Sequence, residues 1–216
     1  SIRDPSILWH DGRFWTVVCR NDMDGHLWLE LSSSSDLIHW TEPCTSGPFS
    51  LDILPDVGGE DYNVVAPEWF KDTDGQIYII VSCGWWGYNH GVDRDEHMQT
   101  YLLHVNSLYF DGTRSMLGSF GPAQRMLLAP DGADRIDGTI DHIGNKYYLT
   151  VKRDGLNMEL WENSALSVNG WKPVRDKALY GFEAPCVISV GTKFLMFADG
   201  VPDVEPYGVR MWESES

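Results

Sequence analysis

Basic residues are scarce in this sequence. The 216 residues include 16 Lys and Arg against 32 Asp and Glu, which gives a formal net charge of -16. A surface of that sign repels phosphate backbones and anionic lipid headgroups. We therefore expect neither nucleic acid nor a membrane surface as a partner.

Long apolar runs are also missing. The most hydrophobic stretch, residues 79–86, is short and is interrupted by Ser82 and Gly84, whereas a helix needs about 20 apolar residues to cross a bilayer. The chain opens on Ser1-Ile2-Arg3-Asp4 with no basic and apolar leader, so any secretion signal has been removed or never existed. Localisation stays open, with a secreted or periplasmic place favoured over the cytoplasm.

The cysteines do not form a recognisable motif. Cys19, Cys44, Cys83 and Cys186 lie far apart without C-x-x-C spacing, so they indicate neither a zinc site nor a redox pair. We expect free thiols that pack as small apolar side chains. The alternative is one disulfide in a secreted protein.

What the sequence does contain is a repeated β-hairpin. Four copies start near Asp4, Ala66, Asp137 and Glu183, and each has a β-rich segment, a turn with Asp, Gly or Asn, and a second aromatic and branched segment. No helical periodicity intervenes. Repeated hairpins with few open edges are typical of a β-propeller, so we predict an all-β propeller with about four blades represented.

The same reading places the other strands. The alternation of Leu27, Leu29 and Leu31 predicts the third strand of blade one, and the outer strand of blade two is expected near 124–128. The polar stretch 85–98 is expected to be an exposed loop. The fourth blade lacks an outer strand, which predicts one propeller domain over 1–216 whose last blade is absent at the C-terminal end.

Acidic residues recur where the inner strands begin. Because these strands run in the same sense along a propeller axis, Asp4, Asp137 and Glu183 should meet at one mouth of the central channel. Crowded carboxylates separate one another's pKa values, which suits paired acid and base chemistry. The return strands end at the same mouth, so aromatic and charged side chains should form its rim: Arg20, Trp85, Trp86, Lys152, Arg153, Asp154 and Asp199.

A structural interpretation stands beside this one. An Asp before Pro often serves only to form a turn. A catalytic role is therefore indicated by the three carboxylates together and not by any one of them. Glu68 lies two residues past the position equivalent to Asp4, which favours a structural or substrate-rim role for it.

Five short motifs resemble the blade-opening motifs of glycoside hydrolase family 43. They are Arg-Asp-Pro-Ser-Ile at 3–7, Ser-Ser-Asp-Leu-Ile-His-Trp at 34–40, Ala-Pro-Glu at 66–68, Ile-Asp-Gly-Thr-Ile at 136–140 and Phe-Glu-Ala-Pro at 182–185. The resemblance spans essentially the whole chain. It implies a five-bladed propeller and an inverting α-L-arabinofuranosidase, β-xylosidase or arabinanase that acts on plant glycans.

The resemblance also implies roles. Asp4 matches the general base, Glu183 the general acid, and Asp137 the carboxylate that orients the acid and keeps it protonated. Substrate contacts are expected from Trp85, Trp86, Glu68, Arg153, Phe182 and Asp199. No cofactor is required, although the family leaves room for a calcium ion on the axis; no ligand set for it is legible in the sequence.

Two departures from the family matter. Ala184 stands where the family usually has Gly, and the absent fifth blade is where the family often places a His near an axial metal or water. Two alternatives therefore stay open: a carbohydrate-binding propeller without turnover, and a retaining furanosidase of a related family. An inverting pair should hold its carboxyl groups about 6.5–9.5 Å apart, against about 5–5.5 Å for a retaining pair. The sugar, exo or endo action, and the oligomeric state are not specified.

Overall fold

The computed structural model of this chain describes residues 2–21, 27–45, 63–84, 98–153, 157–201 and 208–214. Within these ranges all regular structure is β, arranged in four antiparallel sheets whose strands follow one another in sequence. None of the described residues forms a helix long and apolar enough to cross a membrane. The predicted all-β class is confirmed.

We call the four sheets blades one to four. Blade one contains β1 (Ile2–His10), β2 (Arg13–Asn21), β3 (Leu27–Ser34) and β4 (Cys44–Thr45). Blade two contains β5 (Asn63–Lys71), β6 (Ile77–Gly84), β7 (Gln99–Phe110), β8 (Ser115–Phe120) and β9 (Gln124–Arg125). Blade three contains β10 (Arg135–Ile143), β11 (Lys146–Arg153), β12 (Asn157–Asn163) and β13 (Lys172–Tyr180). Blade four contains β14 (Phe182–Val190), β15 (Lys193–Gly200) and β16 (Gly208–Ser214).

Tight turns join the first two strands of each blade. In blade one, Asp11 and Gly12 both have positive φ angles, 53° and 75°, which is the backbone of the two-residue turn that matches the twist of paired strands. The hairpin strands of all four blades and the third strand of blade one lie where the sequence predicts them. Blade four has three strands in the described part of the chain.

The outer edge of blade two was predicted only in part: β9 pairs with Tyr101 and Leu102 of β7 where an outer strand was expected, but β8 was missed. The chain leaves β7 at Phe110 and turns back at once, because the Asp111 carboxylate accepts hydrogen bonds from the N–H groups of Thr113 and Arg114 at 2.8 and 2.7 Å. The outer strand is therefore β8, and the expected region near 124–128 contributes only the short β9, which also pairs with β7. An aspartate turn inside a long strand pattern explains the error.

Two apolar layers hold successive blades together. One lies between blades one and two and includes Trp15, Leu29, Ile79 and Leu103, all at most 2% exposed. The other lies between blades two and three, where Ile80, Leu149 and Trp161 belong to one cluster. Blade two is thus covered on both faces, which is why nearly every residue of β6 is buried.

The inner strands β1, β5, β10 and β14 pack side by side in that order. Each is interrupted near its start by a β-bulge, seen as a break in register between Arg3 and Ser6, Val65 and Glu68, Ile136 and Thr139, and Glu183 and Cys186. The first bulge residue has a positive φ in every blade: Asp4 (52°), Ala66 (48°), Asp137 (56°) and Ala184 (48°). These four positions are structurally equivalent, and Glu183 precedes its bulge by one residue.

Candidate active site

Asp4 is held by two donors from different elements. Its Oδ2 accepts the backbone N–H of Ala66 in blade two at 3.1 Å and the thiol of Cys19 on β2 at 3.7 Å. Burial raises the pKa of the Cys19 thiol well above its usual range, and the charge of Asp4 adds to that effect, so the thiol stays a neutral donor. Asp4 itself is exposed at the start of β1, and its carboxylate is oriented by these two bonds.

Asp137 repeats this arrangement at the interface between blades three and four. Its Oδ2 accepts the N–H of Ala184 at 3.3 Å, and its own N–H donates to Ser82 Oγ at 3.1 Å. Burial raises the pKa of Asp137 to about 6; the Lys152 charge and the Ala184 N–H lower it, while the charges of Glu183 and Asp4 raise it further. Asp137 therefore lies within electrostatic range of both Asp4 of blade one and Glu183 of blade four.

Glu183 is paired with a cation. The Lys152 ammonium donates to Glu183 Oε2 at 2.5 Å, with side chains 15% and 36% exposed respectively. Lys152 lies on β11 of blade three, so the ion pair crosses the interface between blades three and four. The pair therefore links the candidate acid directly to the return strand of the preceding blade.

Glu68 lies two residues past the bulge of β5 and is mostly buried. Burial raises its pKa to about 7, against hydrogen bonds from Ser6 of blade one and Cys186 of blade four that lower it. Contacts with blades one and four place this carboxyl among the inner strands. At neutral pH it is divided between its charged and neutral forms.

The other predicted contacts fall into separate groups. Arg153 pairs with Asp131 at 3.0 Å and with Glu159 at 3.3 Å, both of which also bind the buried Arg135. Phe182 packs edge-on against Trp212, with ring centroids 4.9 Å apart. Asp199 is exposed and lies opposite Glu183 on β15. Trp85, Trp86 and Asp154 lie outside the described residues.

Sequence reasoning did not assign functional roles to Cys19 and Ser82. An alignment of the four return strands could have found them. In each blade, the residue just before the bulge pairs with a polar residue or a cysteine of the return strand; the four partners are Cys19, Ser82, Lys152 and Asp199. Three of the four contact a bulge or its neighbouring acid. We refer to all four residues as the return-strand ring.

The axial calcium ion that the resemblance allows stays a prediction. Among the described residues no group of three or more His, Cys, Asp or Glu side chains could hold a metal ion. The free thiols of Cys19, Cys83 and Cys186 are not joined to one another.

Comparisons with known proteins bear on the fold. No family model matches the sequence, and no curated protein is similar to it. Among solved structures, a thermostable family-43 glycoside hydrolase is similar over 100% of this chain and 69% of its own, with 19% identity and a TM-score of 0.68. An exo-β-1,3-galactanase of Phanerochaete chrysosporium is similar over 99% of this chain and 47% of its own, with 15% identity and a TM-score of 0.69.

A third structure belongs to a different family. The catalytic domain of a family-62 α-L-arabinofuranosidase of Coprinopsis cinerea is similar over 100% of this chain and 65% of its own, with 16% identity and a TM-score of 0.68. The chain thus spans between about half and two thirds of these proteins. The likeness confirms an all-β fold of the five-bladed propeller type with only part of the blades present, and at such low identity it establishes the fold alone.

Proposed function

We propose that this chain is the catalytic propeller of an inverting glycoside hydrolase that acts on arabinose- or xylose-containing plant glycans. The observation that carries the proposal is the set of three carboxylates, Asp4, Asp137 and Glu183, which come from three blades and interact at the bulged ends of the inner strands. The solved structures of similar fold include glycosidases for several sugars, which supports the reaction class more than the sugar.

In this mechanism Asp4 acts as the general base. Within the described part of the chain both of its donors contact Oδ2, which makes Oδ1 the oxygen that takes a proton from water. That water attacks the anomeric carbon while Glu183 protonates the departing oxygen on the other side of the sugar. Asp137 lies beside the acid and, with a pKa of about 6, keeps negative charge near it across most of the neutral range.

A carbohydrate-binding propeller without turnover is the competing function. It is favoured by the inter-blade bonds of Asp4 and Asp137, since each carboxylate accepts an N–H of the next blade and could be retained for that purpose alone. Kinetics on two kinds of substrate separate the two functions.

The test compares Glu183→Gln and Asp4→Asn on arabino- and xylo-oligosaccharides and on aryl glycosides with an acidic phenol. Glu183→Gln should lower kcat/KM for oligosaccharides by about 10²–10⁴-fold, because a sugar alkoxide leaves poorly without a proton, and should largely spare the aryl substrates. Asp4→Asn should disable both. Glu213→Gln, an exposed carboxylate paired with Lys193 at the edge of blade four, is the control and should change neither.

Two outcomes would count against the proposal. Saturable glycan binding without hydrolysis across the panel would identify the binding propeller. NMR during turnover gives the anomeric configuration of the first product. Retained configuration would mean that the carboxylate assigned as the base acts as a nucleophile.

A further inference from the structure

Lys152 occupies a distinctive place in the return-strand ring. Its Cα partner across the hairpin is Ile136, the residue before Asp137, and its side chain reaches over the blade interface to Glu183. The ammonium group is largely withdrawn from water, with 15% of the side chain exposed. A lysine in such a place needs a partner charge, because an unpaired buried charge is costly.

The other ring positions make the lysine informative. Cys19 donates to Asp4, and Ser82 accepts the N–H of Asp137, so both are neutral groups. At the third position a neutral donor could bind Glu183 equally well, yet the chain places a full positive charge there. The partner of this charged residue is Glu183, the carboxylate that must carry a proton and release it in the proposed reaction.

The charges around this pair come from every neighbouring element. Asp137 on β10 interacts with both Lys152 and Glu183, Asp4 on β1 adds a second negative charge, and Asp199 on β15 lies opposite Glu183. The adjacent Arg153 is paired instead with Asp131 and Glu159. Among the described residues, Lys152 is therefore the cation in contact with Glu183, and its charge also acts on Asp137.

We propose that Lys152 is a positioning residue for Glu183: it fixes the orientation of the acid and stabilises the negative charge that the acid gains when it gives up its proton. This inference rests on the proposed function. In each turnover the Glu183 proton moves to the glycosidic oxygen, which keeps the electron pair of the broken bond to the anomeric carbon. Asp4 takes a proton from the attacking water, and exchange with solvent restores both groups.

This role has two opposing consequences. The ammonium makes proton release easier, since the product carboxylate is paired as it forms. It also makes the acid harder to keep loaded as the pH rises. Asp137 and Asp4 act in the other direction, so the acid works within a pH range set by one cation and its neighbouring carboxylates.

The experiment compares Lys152→Met and Lys152→Arg with the unmodified chain over a pH series. Lys152→Met should lower kcat for oligosaccharides by about 10- to 100-fold, a part of what acid catalysis contributes, and should shift the basic limb of the profile up by about one pH unit. Aryl glycosides with an acidic phenol need no proton and should be affected less than about threefold. Lys152→Arg should recover most of the activity and the original limb.

Lys193→Met is the matched control. Lys193 also pairs with a glutamate, Glu213 at 2.6 Å, but the pair is exposed at the edge of blade four, with both side chains 45% exposed. Its loss should leave both the rates and the pH profile unchanged.

A second readout does not depend on turnover. A carboxyl-carbon NMR titration of Glu183, assigned through Glu183→Gln, should move to higher pH in Lys152→Met. An unmoved titration, or equal losses on both substrate types with an unmoved basic limb, would overturn the positioning role and leave Lys152 as a tie between blades. Absence of hydrolysis by the unmodified chain, with the titration shifted, would instead overturn the proposed function.

Discussion

Asp4 and Asp137 each combine a structural contact with a reactive position. In both, Oδ2 accepts the N–H of the first bulge residue in the following blade, at 3.1 Å to Ala66 and 3.3 Å to Ala184. Blade two has Ala66 at the equivalent position, so the N–H of Asp137 binds Ser82 instead. An asparagine could make the same bond without the charge, which separates the two roles experimentally.

Asp137→Asn should stabilise the fold while it impairs catalysis. Burial raises the pKa of Asp137 to about 6, so the folded state binds more protons than the unfolded state between about pH 4 and 6, and stability falls as the pH rises through this range. Above it the ionised carboxylate costs about 1–3 kcal/mol. The neutral variant should therefore be more stable by about that amount at pH 8 and no more stable at pH 4.

Urea unfolding at the two pH values measures this effect. Asp74→Asn, at an exposed turn, is the control and should stay within about 0.5 kcal/mol. Lower stability of Asp137→Asn at pH 8 would mean that the carboxylate is a net stabilising group, contrary to its raised pKa.

At this scale the sequence allowed Asp4, Asp137 and Glu183 to be grouped, because the repeat supplied their relative positions. It did not indicate the partner of each. The Lys152–Glu183 pair depends on how blades three and four pack, and the Cys19–Asp4 bond depends on a bulge that turns Asp4 toward its own return strand. Residue spacing alone does not contain these contacts.

Among the elements, the bulge at the start of each inner strand does most to build the site. A bulge twists its strand and redirects one side chain, and here it recurs with a positive φ of 48–56°. Such a backbone is uncommon for residues other than Gly; Asn and Asp tolerate it better than Ala does. A proline follows three of the four strained residues, at Pro5, Pro67 and Pro185. These prolines were the signal in the sequence that marked the bulges.

Gly138 takes the place of that proline in blade three, where the neighbouring blade leaves little room for a side chain. An added Cβ would lie 3.0 Å from Thr100 Cγ2 and 3.1 Å from Ile80 Cγ2, both in blade two. Gly138→Ala should therefore destabilise the fold by about 1–3 kcal/mol through overpacking, and activity should fall further because Asp137 is adjacent. Thermal unfolding and kcat/KM measure the two effects.

Gly121→Ala is the control for this change. A Cβ there would meet nothing nearer than His104 Cβ at 3.8 Å, an ordinary contact distance, so stability should change little. Equal effects of the two substitutions would indicate that loss of glycine flexibility, and not the approach of blades two and three, governs position 138.

Considered as a whole, the four blades leave two apolar faces uncovered. Ile7 and Trp9 of blade one are 55% and 52% exposed, and Val209 and Met211 of blade four are 69% and 57% exposed. The sequence predicted a blade count of about four and an incomplete last blade from turn spacing alone. We predict that a further blade covers these faces. The hairpin repeat shows which blades are present, but it does not show how the ring closes.

The whole molecule should be most stable near pH 4, above which Asp137 and Glu68 begin to lose stability and below which Asp131 does. Burial raises the pKa of Asp137 to about 6 and that of Glu68 to about 7, so both groups reduce stability once they ionise, and the net charge of -16 adds repulsion at high pH. Asp131 acts in the opposite sense. Its hydrogen bonds with Arg135 hold its pKa well below the usual range, so the stability it contributes is present above about pH 4 and is lost as acid protonates it.

Urea unfolding followed by tryptophan fluorescence from pH 3 to 9 would test this balance. We expect the free energy of unfolding to fall by about 2–5 kcal/mol between pH 5 and 9, and Asp137→Asn combined with Glu68→Gln should remove most of that fall while leaving the acid side unchanged. The asymmetry follows from position: the raised groups lie among the inner strands, where water is scarce, whereas Asp131 lies beside a guanidinium. Stability that rises steadily from pH 5 to 9 would show that the inner carboxylates are better solvated than their packing indicates.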